Sequence, residues 1–182
     1  MIKNSVFIAI WATLIATTLG TVAAVGLSNS RPPYKTFLMA RRIPPMIVPL
    51  VTTAVGMYFF YTVMGVTPGQ ISEVADWLHL LPIILVHAAL GTPFVAITVT
   101  ATLVGFDHSL TRAAANLVAN SVTKVFRFIV PLVLPGMISG ALFAFIISFE
   151  EVVVVLFLAG AEQYTVPRQM FSGTREKISP TI

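Results

Sequence analysis

Four long apolar runs, separated by shorter stretches that carry most of the charge, organise this chain. They cover roughly residues 4–27, 43–65, 77–105 and 131–160. Each has the roughly 20 residues that a helix needs to cross the hydrocarbon core of a bilayer. The pattern predicts an all-α fold, a polytopic membrane helical bundle with about four transmembrane spans. Pro44, Pro45 and Pro49 crowd the start of the second run, where proline is tolerated. Gly91 and Pro93 lie inside the third and predict a mid-membrane bend, whose freed carbonyls need neighbouring helices. No internal repeat or low-complexity linker divides the sequence, so residues 1–182 read as a single membrane domain.

Composition agrees. Hydrophobic residues make up 57% of the 182 positions and charged residues only 10%, against about 25% charged in a soluble domain. The polar residues are too few to clothe a soluble domain of this size, so lipid is the expected solvent. The net charge of +4 could point to nucleic acid in a soluble protein. Here the basic residues fall between apolar runs, and membrane orientation explains them better, so no nucleic-acid partner is expected. The absence of cysteine excludes disulfides and thiolate metal sites.

Loop charge sets the orientation. The first loop holds Arg31, Lys35, Arg41 and Arg42, and the third holds Arg112, Lys124 and Arg127. The second, residues 66–76, has Glu73 and Asp76 and no basic residue. Positive loops stay in the cytoplasm, which puts the first and third inside. Arg168, Arg175 and Lys177 then fall outside and weaken the asymmetry. Both ends of the chain also fall outside, which is easiest to understand if one span is missing at each end. The competing reading makes the N-terminus a signal peptide with Lys3 as its charged region. Its apolar run exceeds the 7–15 residues usual for a signal.

Residues 107–130 read DHSLTRAAANLVANSVTKVFRFIV and lie between two apolar runs. Leu110, Ala113, Ala114, Leu117 and Val118 recur at helical spacing, and Asp107 or Ser109 can cap their helix. A second helical piece, about residues 121–129, presents Lys124 and Arg127. Two short helices at the cytoplasmic ends of two spans form a knob that fits a groove on a partner. The same pattern also suits an amphipathic helix lying on lipid headgroups.

These residues resemble the EAA loop of permease subunits of ABC importers, whose pattern runs E-A-A, three residues, G, nine residues, I-x-L-P. Here it reads Arg112-Ala113-Ala114, then Val118, then Phe128, Val130 and Pro131. The flanks are similar too: Gly105-Phe-Asp107, Pro135-Gly-Met-Ile-Ser-Gly140, Ala144 to Glu151, Leu158-Ala-Gly160 and Thr165 to Ser172. The resemblance is greatest to spermidine/putrescine-type permeases and covers nearly the whole chain. It implies a six-span core with spans two to five present, in the inner membrane of a bacterium. The implied partners are cytoplasmic ATPase subunits, a second permease subunit and an outer-side solute-binding protein. Two positions depart from the pattern. Arg112 replaces the glutamate and opposes the helix dipole by about 0.3–1 kcal/mol. Val118 replaces a glycine suited to a turn, which Asn120 is better able to make.

Glu150 and Glu151 stand inside the last apolar run. A charge at the bilayer centre costs about 2.5–3.5 kcal/mol on insertion scales, so such residues face a partner or an aqueous path. Adjacent residues point about 100° apart on a helix, so the two are not expected in one groove. Ser148, Glu150 and Glu151 are the candidates for a pathway taking a cationic solute, since ammonium groups match carboxylates. Helix packing and proton relay are the alternatives. His87 reads as a satisfied core histidine. His79 and His108 sit near span ends. No spacing suits a metal or catalytic triad, and no phosphate-binding P-loop is present. No cofactor and no enzymatic activity are therefore expected. A transport subunit driven by a separate ATPase is the leading reading. An ion-coupled secondary transporter using Glu150 or Glu151 is the other, and a membrane scaffold the third.

Overall fold

The computed structural model describes residues 2–28, 50–65, 80–104, 125–159 and 165–177. Helix α1 spans Ile2–Ser28, α2 Leu50–Val63, α3 Leu81–Val104, α4 Val130–Glu150, α5 Val153–Leu158 and α6 Val166–Lys177. A single turn of π-helix, Val125–Ile129, leads directly into α4. The described residues contain no strand. Three helices, at Ile2–Ser28, Leu81–Val104 and Phe126–Glu150, are long and apolar enough to cross a membrane, and Val51–Val63 is a shorter apolar helix. The architecture is a helical membrane bundle, as the pattern predicts. Residues 43–49 of the expected second span lie outside the described residues.

The core is a bundle of α1, α3 and α4, each packed on the other two. Side-chain size decides what faces inward. On α1 the buried positions include Ala12, Ala16, Gly20 and Ala24, while Leu14, Leu19 and Val22 are more than half exposed. On α4 the buried positions are Val133, Gly136, Gly140, Ala144 and Ser148, while Leu142 and Phe143 point out. Lipid tails are as apolar as leucine, so burying a leucine gains little here. Small residues instead let backbones approach and gain dispersion contacts.

The approach is close. A Cβ added to Gly140 would stand 2.8 Å from the Val95 Cα, and one added to Gly136 would stand 2.9 Å from the Thr98 carbonyl oxygen. A Cβ at Gly91 would lie 2.9 Å from that of Ala144 and 3.2 Å from that of Ala16, so all three helices meet there. Gly20 meets Val95 in the same way. Positions advance together along α1 and α3, and in opposite senses along α3 and α4. These directions match the alternate crossings expected from the loops. They also gather the start of α1, the start of α3 and the end of α4 at one end, which loop charge assigns to the outside.

The fold differs from the sequence reading in the last apolar run, whereas the third remains one helix. Gly91 and Pro93 do not interrupt α3, whose helix runs unbroken from Leu81 to Val104. Pro93 lacks an N–H and leaves the Ala89 carbonyl without its intrahelical donor. One residue earlier, the Thr92 hydroxyl donates to the Ala88 carbonyl at 2.7 Å. Such back-bonding satisfies hydroxyls within their own helix, and Thr18, Thr62 and Thr102 do the same. The last apolar run, by contrast, is not one helix. It breaks at Glu151 and Val152, and α5 follows as a separate short helix. That helix packs mainly on α2.

Replacing Gly140 with leucine in the full-length protein should lower its stability by about 1–3 kcal/mol, the usual cost of overpacking. The same change at Gly56, where a Cβ meets nothing within 4 Å, should cost nothing. Thermal unfolding in detergent compares the two.

Candidate functional site

The break between α4 and α5 separates the two glutamates. Glu150 closes α4 and is exposed. Glu151 is 7% exposed, in extended backbone at φ −69° and ψ 116°. Its Oε1 accepts the Val154 N–H at 3.0 Å. A carboxylate on an otherwise orphan N–H in a first helical turn is favourable on both hydrogen-bond and dipole grounds. At the other end of α5, the Arg168 guanidinium donates to the Ala159 carbonyl at 3.2 Å. A cation there complements the negative end of the helix. The short helix is thus held by opposite charges, from Glu151 just beyond α4 and from Arg168 of α6. Ser5 of α1 adds a further tie, accepting the Val166 N–H at 2.9 Å.

Ser148 and His87 face each other across the α3–α4 interface. The His87 Nδ1 and the Ser148 Oγ are 2.8 Å apart, and both residues are buried. The other ring nitrogen, Nε2, has no partner among the described residues. The expected satisfied histidine is therefore satisfied on one side only. The Ser148 hydroxyl is engaged within the bundle and not turned toward an open path.

At the opposite end, the structure describes only the last part of the polar loop. Asp107, Leu110, Arg112, Ala113, Ala114, Leu117 and Val118 lie outside the described residues. Phe128 and Pro131 are both exposed, with Phe126 and Arg127 exposed beside them, while Ile129 turns into the core. Pro131 sits in the first turn of α4, where its missing N–H costs no hydrogen bond. Two exposed phenylalanines flanking an arginine form an amphipathic edge at the end assigned to the cytoplasm.

No cluster of three potential metal ligands occurs among the described residues. A groove of about 580 Å³ runs between α1 and α3, lined by Phe7, Trp11, Ile15, Leu81 and Ile84. Its lining holds no carboxylate to match an ammonium group. Among the described candidates, Glu150 alone combines a carboxylate with exposure at the outer end.

The sequence profile of the family described as the binding-protein-dependent transport system inner membrane component matches residues 6–180. The chain belongs to that family. Among curated relatives of these inner membrane components, it is similar to the spermidine/putrescine transport system permease protein PotC of Haemophilus influenzae. The two are 31% identical over 179 residues, 98% of this chain and 66% of the relative. It is 27% identical to PotC of Escherichia coli over 180 residues, covering 99% and 64%. To the putrescine transport system permease protein PotI of Escherichia coli it is 28% identical over 183 residues, covering 98% and 62%. The chain thus spans slightly less than two thirds of the length of these relatives. The match on this inner membrane component embraces the three-helix core, the broken helix and α6 together.

Replacing Glu151 with leucine should destabilise α5 by about 0.5–2 kcal/mol, the range of a lost N-terminal cap. Glutamine retains an acceptor oxygen and should cost less. Amide hydrogen exchange over residues 153–158 measures the difference.

Proposed function

We propose that this chain is the permease part of an ATP-driven importer in a bacterial cytoplasmic membrane, and that its solute is a small cation of the polyamine class. The observation that carries this reading is the family match across nearly the whole chain, with relatives named as spermidine/putrescine and putrescine permeases. In this reading the chain forms a pathway with a second permease subunit and receives solute from an outer-side binding protein. Cytoplasmic ATPase subunits supply the work through residues 107–130. The chain binds no ATP and catalyses no reaction itself.

Two structural features support the assignment of parts. Phe126, Arg127 and Phe128 continue the loop as an exposed edge that a cytoplasmic partner can cover. Glu150 is exposed at the outer end of α4, where a carboxylate can meet an ammonium group entering from outside. Glu151 is the structural member of the pair, because its oxygen is committed to α5. Ser148 is committed to His87. Of the three pathway candidates, Glu150 is therefore the one we place on the route of the solute. An ion-coupled secondary transporter would also use a membrane carboxylate, but it has no need of a docking loop.

Deleting residues 107–120 should abolish co-purification of the full-length permease with its ATPase. Undiminished recovery would overturn the docking role. In the complete complex, uptake of radiolabelled putrescine or spermidine should require ATP. Persistence without ATP, with collapse on loss of the proton gradient, would favour the secondary transporter. Glu150→Gln should reduce uptake at least several-fold without loss of assembly, and Glu151→Gln should reduce it much less.

A further inference from the structure

We propose that the groove between the outer ends of α1 and α3 is a binding site for one phospholipid, whose acyl chain lies along Phe7, Trp11 and Ile15 and whose anionic headgroup rests on Lys3. The groove encloses about 580 Å³, within the roughly 300–1,000 Å³ usual for a small-molecule site. Its floor is Ile84, 3% exposed, and its rims are Trp11 and Leu81, at 48% and 36%. The Phe7 and Trp11 rings stand 6.1 Å apart, tilted by 58°, and give one wall a continuous aromatic surface. The lining residues are all apolar. Water finds no partners on such a surface, so the occupant at this depth is hydrocarbon.

Lys3 sets the chemistry of the occupant's polar end. Lys3, Phe7, Trp11 and Ile15 follow one another at four-residue intervals and form a slowly winding stripe along α1. From Lys3 to Ile15 the stripe is about 18 Å long at the helical rise, close to the roughly 15 Å of one leaflet's hydrocarbon plus a headgroup. It therefore has the polarity order of a lipid, with a cation at the edge of the bilayer and apolar side chains toward its centre. Lys3 is exposed, and no carboxylate pairs with it among the described residues. The other cations whose side chains are described are placed differently: Arg168 is turned onto the Ala159 carbonyl, and Arg127 lies at the inner end. A lysine at a helix end keeps its ammonium in the headgroup layer, where phosphate is the anion that the bilayer itself supplies. A protein segment in the groove would need an acidic residue at that same level. A phospholipid brings the anion and the alkyl chain already joined, in the right order. The site follows from shape and charge and is independent of the transport reading.

The test replaces Trp11 with the photoreactive aromatic residue benzoylphenylalanine in the assembled full-length complex. The complex is placed in nanodiscs of mixed phosphatidylglycerol and phosphatidylethanolamine and illuminated. Mass spectrometry of the permease chain then identifies what has become attached at position 11. The adduct should be a phospholipid, with phosphatidylglycerol enriched about fivefold over its share of the bilayer, the factor that one lysine contributes near an anionic surface. Lys3→Gln should return the adducts to the bilayer's own proportions, and Lys3→Arg should keep the enrichment. Lys3 is exposed in the first turn of α1, so both variants should assemble. The same probe at Leu142, exposed on α4, should give the bilayer's proportions in every protein. Adducts in those proportions at position 11 of the parent would mean unselected boundary lipid and would overturn the proposal. So would a crosslink to a protein segment, or an enrichment that survives Lys3→Gln. Failure of polyamine uptake in the same preparations would count against the transport reading and leave this site standing.

Discussion

Everything in this bundle depends on how near three helical backbones come at Gly91. Ala16, Gly91 and Ala144 meet there with no room for a further methyl group. In water, such a cluster would be a poor core, because so little apolar area is removed from solvent. In lipid the comparison changes, since large side chains are as well solvated outside the bundle as within it. Association then rests on dispersion between closely fitted backbones and on a few polar bonds. The four-residue spacing of small groups on α1 and α4 builds that fit, and the threonine hydroxyls stay compatible with it by bonding within their own helix.

The fold class was legible because its signal is coarse. A chain with 57% hydrophobic residues and long uninterrupted apolar runs admits few solvents other than lipid. Loop charge and crossing number anticipated the relative directions of α1, α3 and α4. The break after Glu150 was not legible. Residues 131–160 carry no proline or glycine between Gly140 and Gly160 to announce an interruption. Glu151 leaves the helical backbone to serve the N–H of Val154, three residues on, and Arg168, nine residues beyond Ala159, closes the other end of α5. A glutamate in an apolar run does not by itself announce that it will cap a new helix. At Pro93, a strong local breaker is absorbed within a continuous helix.

The candidate site was legible in its residues and not in their division of labour. Two adjacent glutamates in an apolar run announce themselves by their cost. Which one is committed to structure depends on the break, and so could not be read from spacing. His87 was recognisable as a buried histidine. Its pairing with Ser148, 61 positions away, needed the antiparallel register of α3 and α4. That register is implied by facing small residues, which a single sequence does not distinguish from ordinary alanines and glycines. The polar loop was the strongest sequence feature, and its first part lies outside the described residues, so its helices remain a sequence expectation.

The outward display of bulky side chains has a consequence for how this molecule tolerates change over evolutionary time. Leucine, valine and phenylalanine on the bilayer-facing sides of α1 and α4 can be exchanged for one another with little effect, because fluid acyl chains adapt to any outline. The slender positions along the seams have no such freedom. Hydropathy and mutational constraint therefore run in opposite directions here. The residues that contribute least to the greasiness of the chain are the ones its architecture can least do without.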